Sequence, residues 1–292
     1  MNTKNFLLRF AVVALIMLCA SCEKPYSAED EGGGSDVVID DKSNGDDTGN
    51  DGDKTDFVTV KFNICSVEGQ GSEMIALRDV CQRLSFSVFD ADGERCNYQT
   101  ISQLRDEKDF GCVSISIAKG SYSFVFVAEN GEKAPTISKP TSVTFRSNKL
   151  TDVYYYYGVF AIDAEQSYDI ALKRATAKLC FAMNDAVPLG IDKIEFYYTG
   201  GSSTLDATTG YGAVNSRQTE TRDVEAAAHS GKSVYELYTI PHEDNKPLTL
   251  KVSAKTGDKT KYVRTLNEIE IERGVETQFA LNFFGEAPEG GR

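Results

Sequence analysis

Tryptophan is absent from this chain of 292 residues, and histidine occurs only twice. Without Trp the strongest ring face for stacking on a sugar or a cation is missing. His229 stands in a stretch rich in Gly, Ser and Thr and His242 stands beside Pro241, neither near a cysteine or carboxylate at metal-ligand spacing. Both read as surface residues, and no metal centre is expected. No G-x-S-x-G elbow, H-E-x-x-H pair or phosphate-cradling glycine loop is present, so nothing argues for an enzyme or a cofactor. Carboxylate pairs brought together from distant strands stay open at this level, although Asp and Glu on a sheet surface are usually only solvated. Positive charge is also short: 31 Lys and Arg face 44 Asp and Glu, a net charge of -13. With no basic stripe, the chain lacks the electrostatic footprint of a nucleic-acid binder.

A long hydrophobic run is lacking as well. The one apolar stretch, residues 10–18 after Lys4 and Arg9, is shorter than the ~20 residues a membrane helix needs, so it reads as a removable signal. It ends in Leu18-Cys19-Ala20-Ser21-Cys22, where small residues precede a thiol, the pattern of cleavage and lipidation in a bacterial lipoprotein. Residues 1–21 are thus expected to be the signal peptide and Cys22 the lipidated residue. Cys19 departs from the pattern, standing where Leu is more usual, and an ordinary secretory signal with an incidental Cys22 is the alternative. Acyl chains contribute ~0.8 kcal/mol per buried CH₂, so several chains hold a protein at a membrane almost permanently.

Residues 22–56 read as a flexible acidic linker. From position 29 onward they are Asp, Gly, Ser, Asn and Thr with almost nothing apolar except Val37, Val38 and Ile39, too little to offset the entropy of ordering. Eleven acids against Lys42 and Lys54 put nine of the thirteen net negative charges in residues 29–56, so the acidity is mostly the linker's. A calcium loop is excluded. Aligning Gly52 with the loop glycine puts Gly49 at a ligand position and Val58 where a bidentate Glu belongs, and Asp90-Ala91-Asp92-Gly93 is better explained as a turn between strands.

What remains is long enough for two domains, expected at 57–160 and 161–292. Its pattern is that of strands. Val58, Val60, Phe62 and Ile64 alternate with polar residues, as do Leu84, Phe86 and Val88, and then Val113, Ile115 and Ile117. Residues 122–128 are apolar on both faces, as in a central strand, and residues 143–145 and 154–157 follow after turns. The rhythm restarts near Asp169 with Ile170 and Leu172, and continues through residues 179–183, 194–198, 235–240, 248–254, 261–264, 269–271 and 277–283. Residues 200–231 predict a long surface loop, or a short helix over 224–228. The expectation is an all-β protein, two antiparallel β-sandwiches in tandem after a disordered stalk.

Besides Cys19 and Cys22 there are Cys65, Cys81, Cys96, Cys112 and Cys180, an odd set in an exported chain, so at least one has no partner within it. Buried thiols and bridges both fit, and no connectivity follows. The block Tyr154, Tyr155, Tyr156, Tyr157 as a strand sends two rings inward and two outward. The outward pair, Tyr155 and Tyr157, is a candidate platform for a partner or a glycan, and packing at a domain junction explains it as well.

These pieces together carry a resemblance. The lipidation motif and acidic stalk, LSFSVFDADGE from Leu84, GSYSFVFVAEN from Gly120, DVYYYYG from Asp152, LKRATAKLCF from Leu172 and ELYTIP from Glu236 resemble the FimB-type fimbrial anchoring lipoproteins of Bacteroidales, within the fimbrillin superfamily. The resemblance implies two transthyretin-like Greek-key sandwiches, an outer-membrane lipoprotein exposed at the cell surface, and a non-enzymatic place at the base of a fimbrium (pilus). There the anchor would hold a stalk subunit by β-strand complementation. In related stalk subunits, processing after an Arg removes an N-terminal segment. Here no Arg lies between Cys22 and Arg78, which favours an anchor, while Arg78 and Arg83 remain candidate processing sites for the alternative, a polymerising stalk or tip subunit. A glycan-binding surface lipoprotein is the other alternative, which the lack of Trp weakens.

Overall fold

The structure is a computed structural model that describes residues 37–38, 56–69, 73–97 and 99–285. The expected signal peptide, Cys22, and the linker apart from Val37, Val38 and Asp56 lie outside the described residues. No described helix is long and apolar enough to cross a membrane. The described residues are nearly all β, with one four-residue helix among them, α1 (Leu77–Val80), and short 3-10 turns at Arg146–Asn148 and Ala226–His229.

The first sandwich has one layer built on β2 (Phe57–Glu68), with β6 (Cys112–Ala118) antiparallel on one side and β11 (Gln166–Arg174) parallel on the other. The two-residue β1 (Val37–Val38) lies parallel beside β6, and β3 (Met74–Ala76) pairs with the end of β2. The facing layer runs β10 (Tyr154–Ile162), β7 (Gly120–Glu129), β4 (Arg83–Phe89), β5 (Ile101–Leu104). Alternation explains the pairing of faces. In β2, Val60, Phe62 and Ile64 are fully buried while Lys61 and Cys65 are exposed, so the apolar side chains of both layers meet in one core. Phe62 is its hub, with ring centroids 4.7 Å from Phe124, 5.2 Å from Phe126 and 5.4 Å from Phe160.

The second sandwich opposes β17 (Ser233–Thr239), β12 (Ala177–Met183) and β20 (Glu276–Leu281) to β16 (Arg217–Asp223), β13 (Lys193–Thr199), β18 (Leu248–Thr256) and β19 (Lys259–Ile269). Phe181, Ile194, Phe196, Leu250 and Val252 fill its core. A third core lies on the outer face of β7 and β10. There Val125, Val127 and Tyr155 pack against Ile137, Val143, Leu205, Ala207 and Ile240. A small sheet covers it, ordered β15 (Tyr211–Gly212), β14 (Thr204–Asp206), β9 (Ser142–Thr144), β8 (Thr136–Lys139). This explains why residues 124–128 are apolar on both faces: β7 has a core on each side.

Four expectations change. Ile170 and Leu172 sit in the first core, because β11 adds to β2 and does not open the second sandwich. Alternation marks a strand without naming its sheet. The sheets are not wholly antiparallel, since β2–β11, β12–β20 and β1–β6 run parallel. Residues 200–231 hold β14, β15 and β16 and end in a 3-10 turn at Ala226–His229. Strand β16 hid because it buries polar Gln218 and Glu220 where an apolar residue would have signalled a core face. Finally, both histidines are half-buried and hydrogen-bonded, His229 Nδ1 lying 2.8 Å from the Val187 carbonyl and His242 Nδ1 3.0 Å from that of Gly212.

Candidate functional site

The first sequence-predicted site is the segment that joins β2 to β4. Strand β2 is held on both sides, by β6 and by β11, and its buried side chains include the core hub. Lifting it out would leave a hydrophobic slot where Val60, Phe62, Ile64 and Val67 now pack. Arg78 lies on α1 and is exposed; its guanidinium donates to the carbonyls of Arg105 and, at 3.2 Å, Glu107, and sits 5.4 Å from the Phe110 ring centre. Arg83 is the first residue of β4, between Leu104 of β5 and Glu129 of β7. Its Nε faces the buried Glu129 carboxylate at 3.3 Å. Burial raises the Glu129 pKa, partly offset by the Gly131 N–H and by Arg83. The peptide after Arg83 is therefore inside a ladder with strands on both sides, whereas the peptide after Arg78 lies on a one-turn surface helix.

The tyrosine block divides as a strand must. Tyr154 (4% exposed) and Tyr156 belong to the first core, Tyr155 (7% exposed) and Tyr157 to the third. The Tyr155 hydroxyl accepts a hydrogen bond from Arg273 Nη1 at 3.1 Å. Gly210, at φ +80, passes so close that a Cβ there would sit 1.8 Å from that hydroxyl. The Tyr155 ring thus packs at the place where the small sheet meets β10, and its face is covered. Burial also raises its pKa, with Arg273 acting the other way.

A third feature carries no sequence signal. After β20 the backbone N–H groups of Phe283, Phe284 and Gly285 all donate to the Asp185 carboxylate, at 2.7, 2.6 and 2.8 Å. Arg264 Nε donates to the Phe283 carbonyl at 2.7 Å, and the Phe283 side chain is 1% exposed. The three N–H groups outweigh desolvation and hold the Asp185 pKa below its usual 3.8. Partners about 100 positions apart cannot be recognised from spacing. Among the described residues no group of three or more His, Cys, Asp or Glu is placed to hold a metal ion.

These features define a multi-sheet β-sandwich protein in which the first long strand described, β2, and the last described, β20, are both built into the chain's own sandwiches. The chain belongs to the family of fimbrillin-A associated anchor proteins Mfa1 and Mfa2, whose sequence profile it matches over residues 53–288. That is a family of structural, fimbrium-associated proteins of the cell surface. None of the curated proteins matches the chain in sequence. Among solved structures it is similar to the fimbrial anchor protein Mfa2 from Porphyromonas gingivalis, at 11% identity and TM-score 0.42, covering 71% of this chain and 82% of that one. A fimbrial assembly protein from Parabacteroides distasonis is similar at 14% identity and TM-score 0.42, covering 77% and 90%. A candidate adhesin from Bacteroides ovatus is similar at 13% identity and TM-score 0.49, covering 84% and 100%.

Proposed function

We propose that this protein is an outer-membrane lipoprotein that holds a fimbrium at the cell surface, tethered by lipid on Cys22 and docking a stalk subunit through added β-strand pairing. The two large cores are, in this reading, tandem transthyretin-like Greek-key domains, the chain passing from one to the other between β11 and β12. The observation that carries the proposal, beside family membership, is that β2, the strand that a cut after Arg78 or Arg83 would release, is paired within the chain's own sheet, and that β20 is paired as well. Strand β2 is paired on both sides, with Arg83 locked behind it in β4, and β20 pairs with β12 while Asp185 and Arg264 clamp the residues that follow. A polymerising subunit must open one strand and donate another. An anchor needs neither β2 removed nor β20 free. Burial of Tyr155 favours a packing role for the tyrosine block over a glycan platform.

The test is membrane fractionation of the native protein with mass spectrometry of its N-terminus, paired with Cys22→Ala. The expected result is a lipidated N-terminus at Cys22 in protein that co-purifies with fimbrial stalks, and release of those stalks from cells carrying the variant. A mature N-terminus just after Arg78 or Arg83, without lipid, would overturn the anchor reading in favour of a stalk or tip subunit. Lipid without any fimbrial subunit would leave a surface lipoprotein of another role.

A further inference from the structure

The layer built on β2 ends in β6, beyond which lies only the two-residue β1. On the β2 side the ladder is regular: residues 57–63 pair with 112–118 without a register shift. The Ile64 N–H donates to the Gly111 carbonyl at 2.7 Å, and the Lys119 N–H donates to the Asp56 carbonyl at 3.3 Å. Hydrogen-bonded sites alternate in such a ladder, so Val113, Ile115 and Ile117 turn their backbone groups toward β2, while Ser114, Ser116 and Ala118 turn theirs away from it. At Cys112 the outward groups are used, the N–H donating to the Asp109 carbonyl at 2.7 Å and the carbonyl accepting from Gln103 Nε2 at 2.8 Å. The edge that can take another strand therefore runs from Ser114 to Ala118.

That edge lacks the devices that keep sheet edges from pairing. Charged side chains, proline, bulges and shortness all discourage an added strand. Strands β16, β17, β19 and β20, the other described strands of six residues or more that end a sheet, carry such charges, among them Arg222, Glu236, Lys261 and Glu276. Strand β6 reads CVSISIA, seven residues with no charge, no proline and no bulge against β2. What lies on it comes from the one apolar triplet of residues 29–56, with Val37 opposite Ile115 and Val38 opposite Ser116. The acidic linker thus sets its apolar residues on the uncharged edge. The hold is slight. It spans two residues in the parallel orientation, which is less stable per residue than the antiparallel one, and Asp36, Asp40 and Asp41 stand around them in sequence.

We infer that the β6 edge from Ser114 to Ala118 is where the stalk subunit adds its strand, and that β1 is a displaceable cover over it. The inference rests on the anchor reading given above. The partner that fits is an extended, uncharged segment with an apolar residue at every second position. On its inner side it continues the buried row of Val113, Ile115 and Ile117, and on its outer side it meets the half-buried Ser114 and Ser116. A segment that pairs along the whole edge makes more main-chain bonds than β1 makes over two residues, so it takes the place of β1. Until it arrives, β1 keeps the edge from pairing with a second copy of the anchor. The added strand lies beside β6 and leaves β2 where it is, in keeping with an anchor that gives up no strand of its own sandwich.

The experiment uses the full-length protein in cells that carry the native fimbria, with the photo-crosslinking residue p-benzoylphenylalanine in place of Ser116, and maps the adducts by mass spectrometry. The expected adduct joins position 116 to one peptide of the stalk subunit that co-purifies. Val37→Gly combined with Val38→Gly weakens the cover and should raise the yield of that adduct. Ser114→Pro removes an outward N–H and leaves the ladder to β2 whole. It should lower the stalk recovered by about tenfold, an edge bond being lost with a ring in its place. Circular dichroism checks that this variant is folded; if it is not, the adduct at position 116 decides alone. Preparations that hold stalk subunits yet give adducts only within the chain or to a second copy, or none, would overturn the inference, as would full stalk recovery by folded Ser114→Pro. Those outcomes leave the anchor reading standing. Wild-type protein that brings down no stalk subunit would instead sink the anchor reading, and this use of the edge with it.

Discussion

Asp185 ties the chain after β20 to the loop after β12 with one carboxylate and three backbone N–H groups. Hydrogen bonds to a charged acceptor contribute roughly 1.5–3 kcal/mol each when buried. Asp185 is only partly buried, so Asp185→Ala should cost about 1–2 kcal/mol in all. The measurement is hydrogen exchange, with faster exchange expected at residues 283–285 and little change in the first sandwich. The sign with pH follows from the lowered pKa: the contribution is present above the usual 3.8 and is lost as pH falls through the lower folded value. Tyr155 gives a second prediction at this scale. Its buried ring makes Tyr155→Ala a stability variant, costing ~3–5 kcal/mol as a large-to-small change, read as a lower urea midpoint. Unchanged stability would mean that the ring is not packed as described. The sequence could place Tyr155 and Tyr157 on one face, because strand periodicity is fixed by the backbone. It could not say that the face was covered, because the covering residues Val143 and Leu205 come from distant segments.

Among the elements, α1 and β4 make the contrast that decides processing. A protease needs an extended stretch of substrate free of the sheet. One turn of surface helix opens at little cost, whereas freeing Arg83 means breaking β4 from both β5 and β7. Limited digestion with an Arg-specific protease should therefore nick after Arg78 well before Arg83; cleavage first at Arg83 would show that β4 is not held as a central strand. Most strands were legible. Residues 58–64, 84–88, 113–117 and 122–128 all carried the period of two or the double-sided apolar pattern that their positions demanded. The strands that escaped detection are those whose buried face is polar or whose length is two to four residues. Strand β16 buries Gln218 and Glu220, with Gln218 bonded to Tyr198 and Thr239, and β8, β14 and β15 are too short for periodicity to register.

At the scale of the molecule, the third core joins segments that the sequence would assign to separate halves. Residues 136–144 and 204–212 share one sheet, with Leu205 paired to Val143. Leu205 is fully buried there, so Leu205→Ala should cost ~2–5 kcal/mol and lower one common thermal transition for both sandwiches. Two transitions, with only one moved, would mean that the small sheet does not couple them. The sequence by itself determined that the chain is all β, that its acidity lies ahead of the sandwiches, and that it belongs with fimbrial anchors, because composition, strand period and family motifs are local properties of the chain. Only the tertiary structure decided that β11 joins β2, that Tyr155 is covered and that Asp185 clamps the last described residues. Each of these depends on which distant strands lie side by side, and pairing between distant strands is set by the sum of core packing and main-chain hydrogen bonds over the whole fold, a quantity no single stretch of sequence contains.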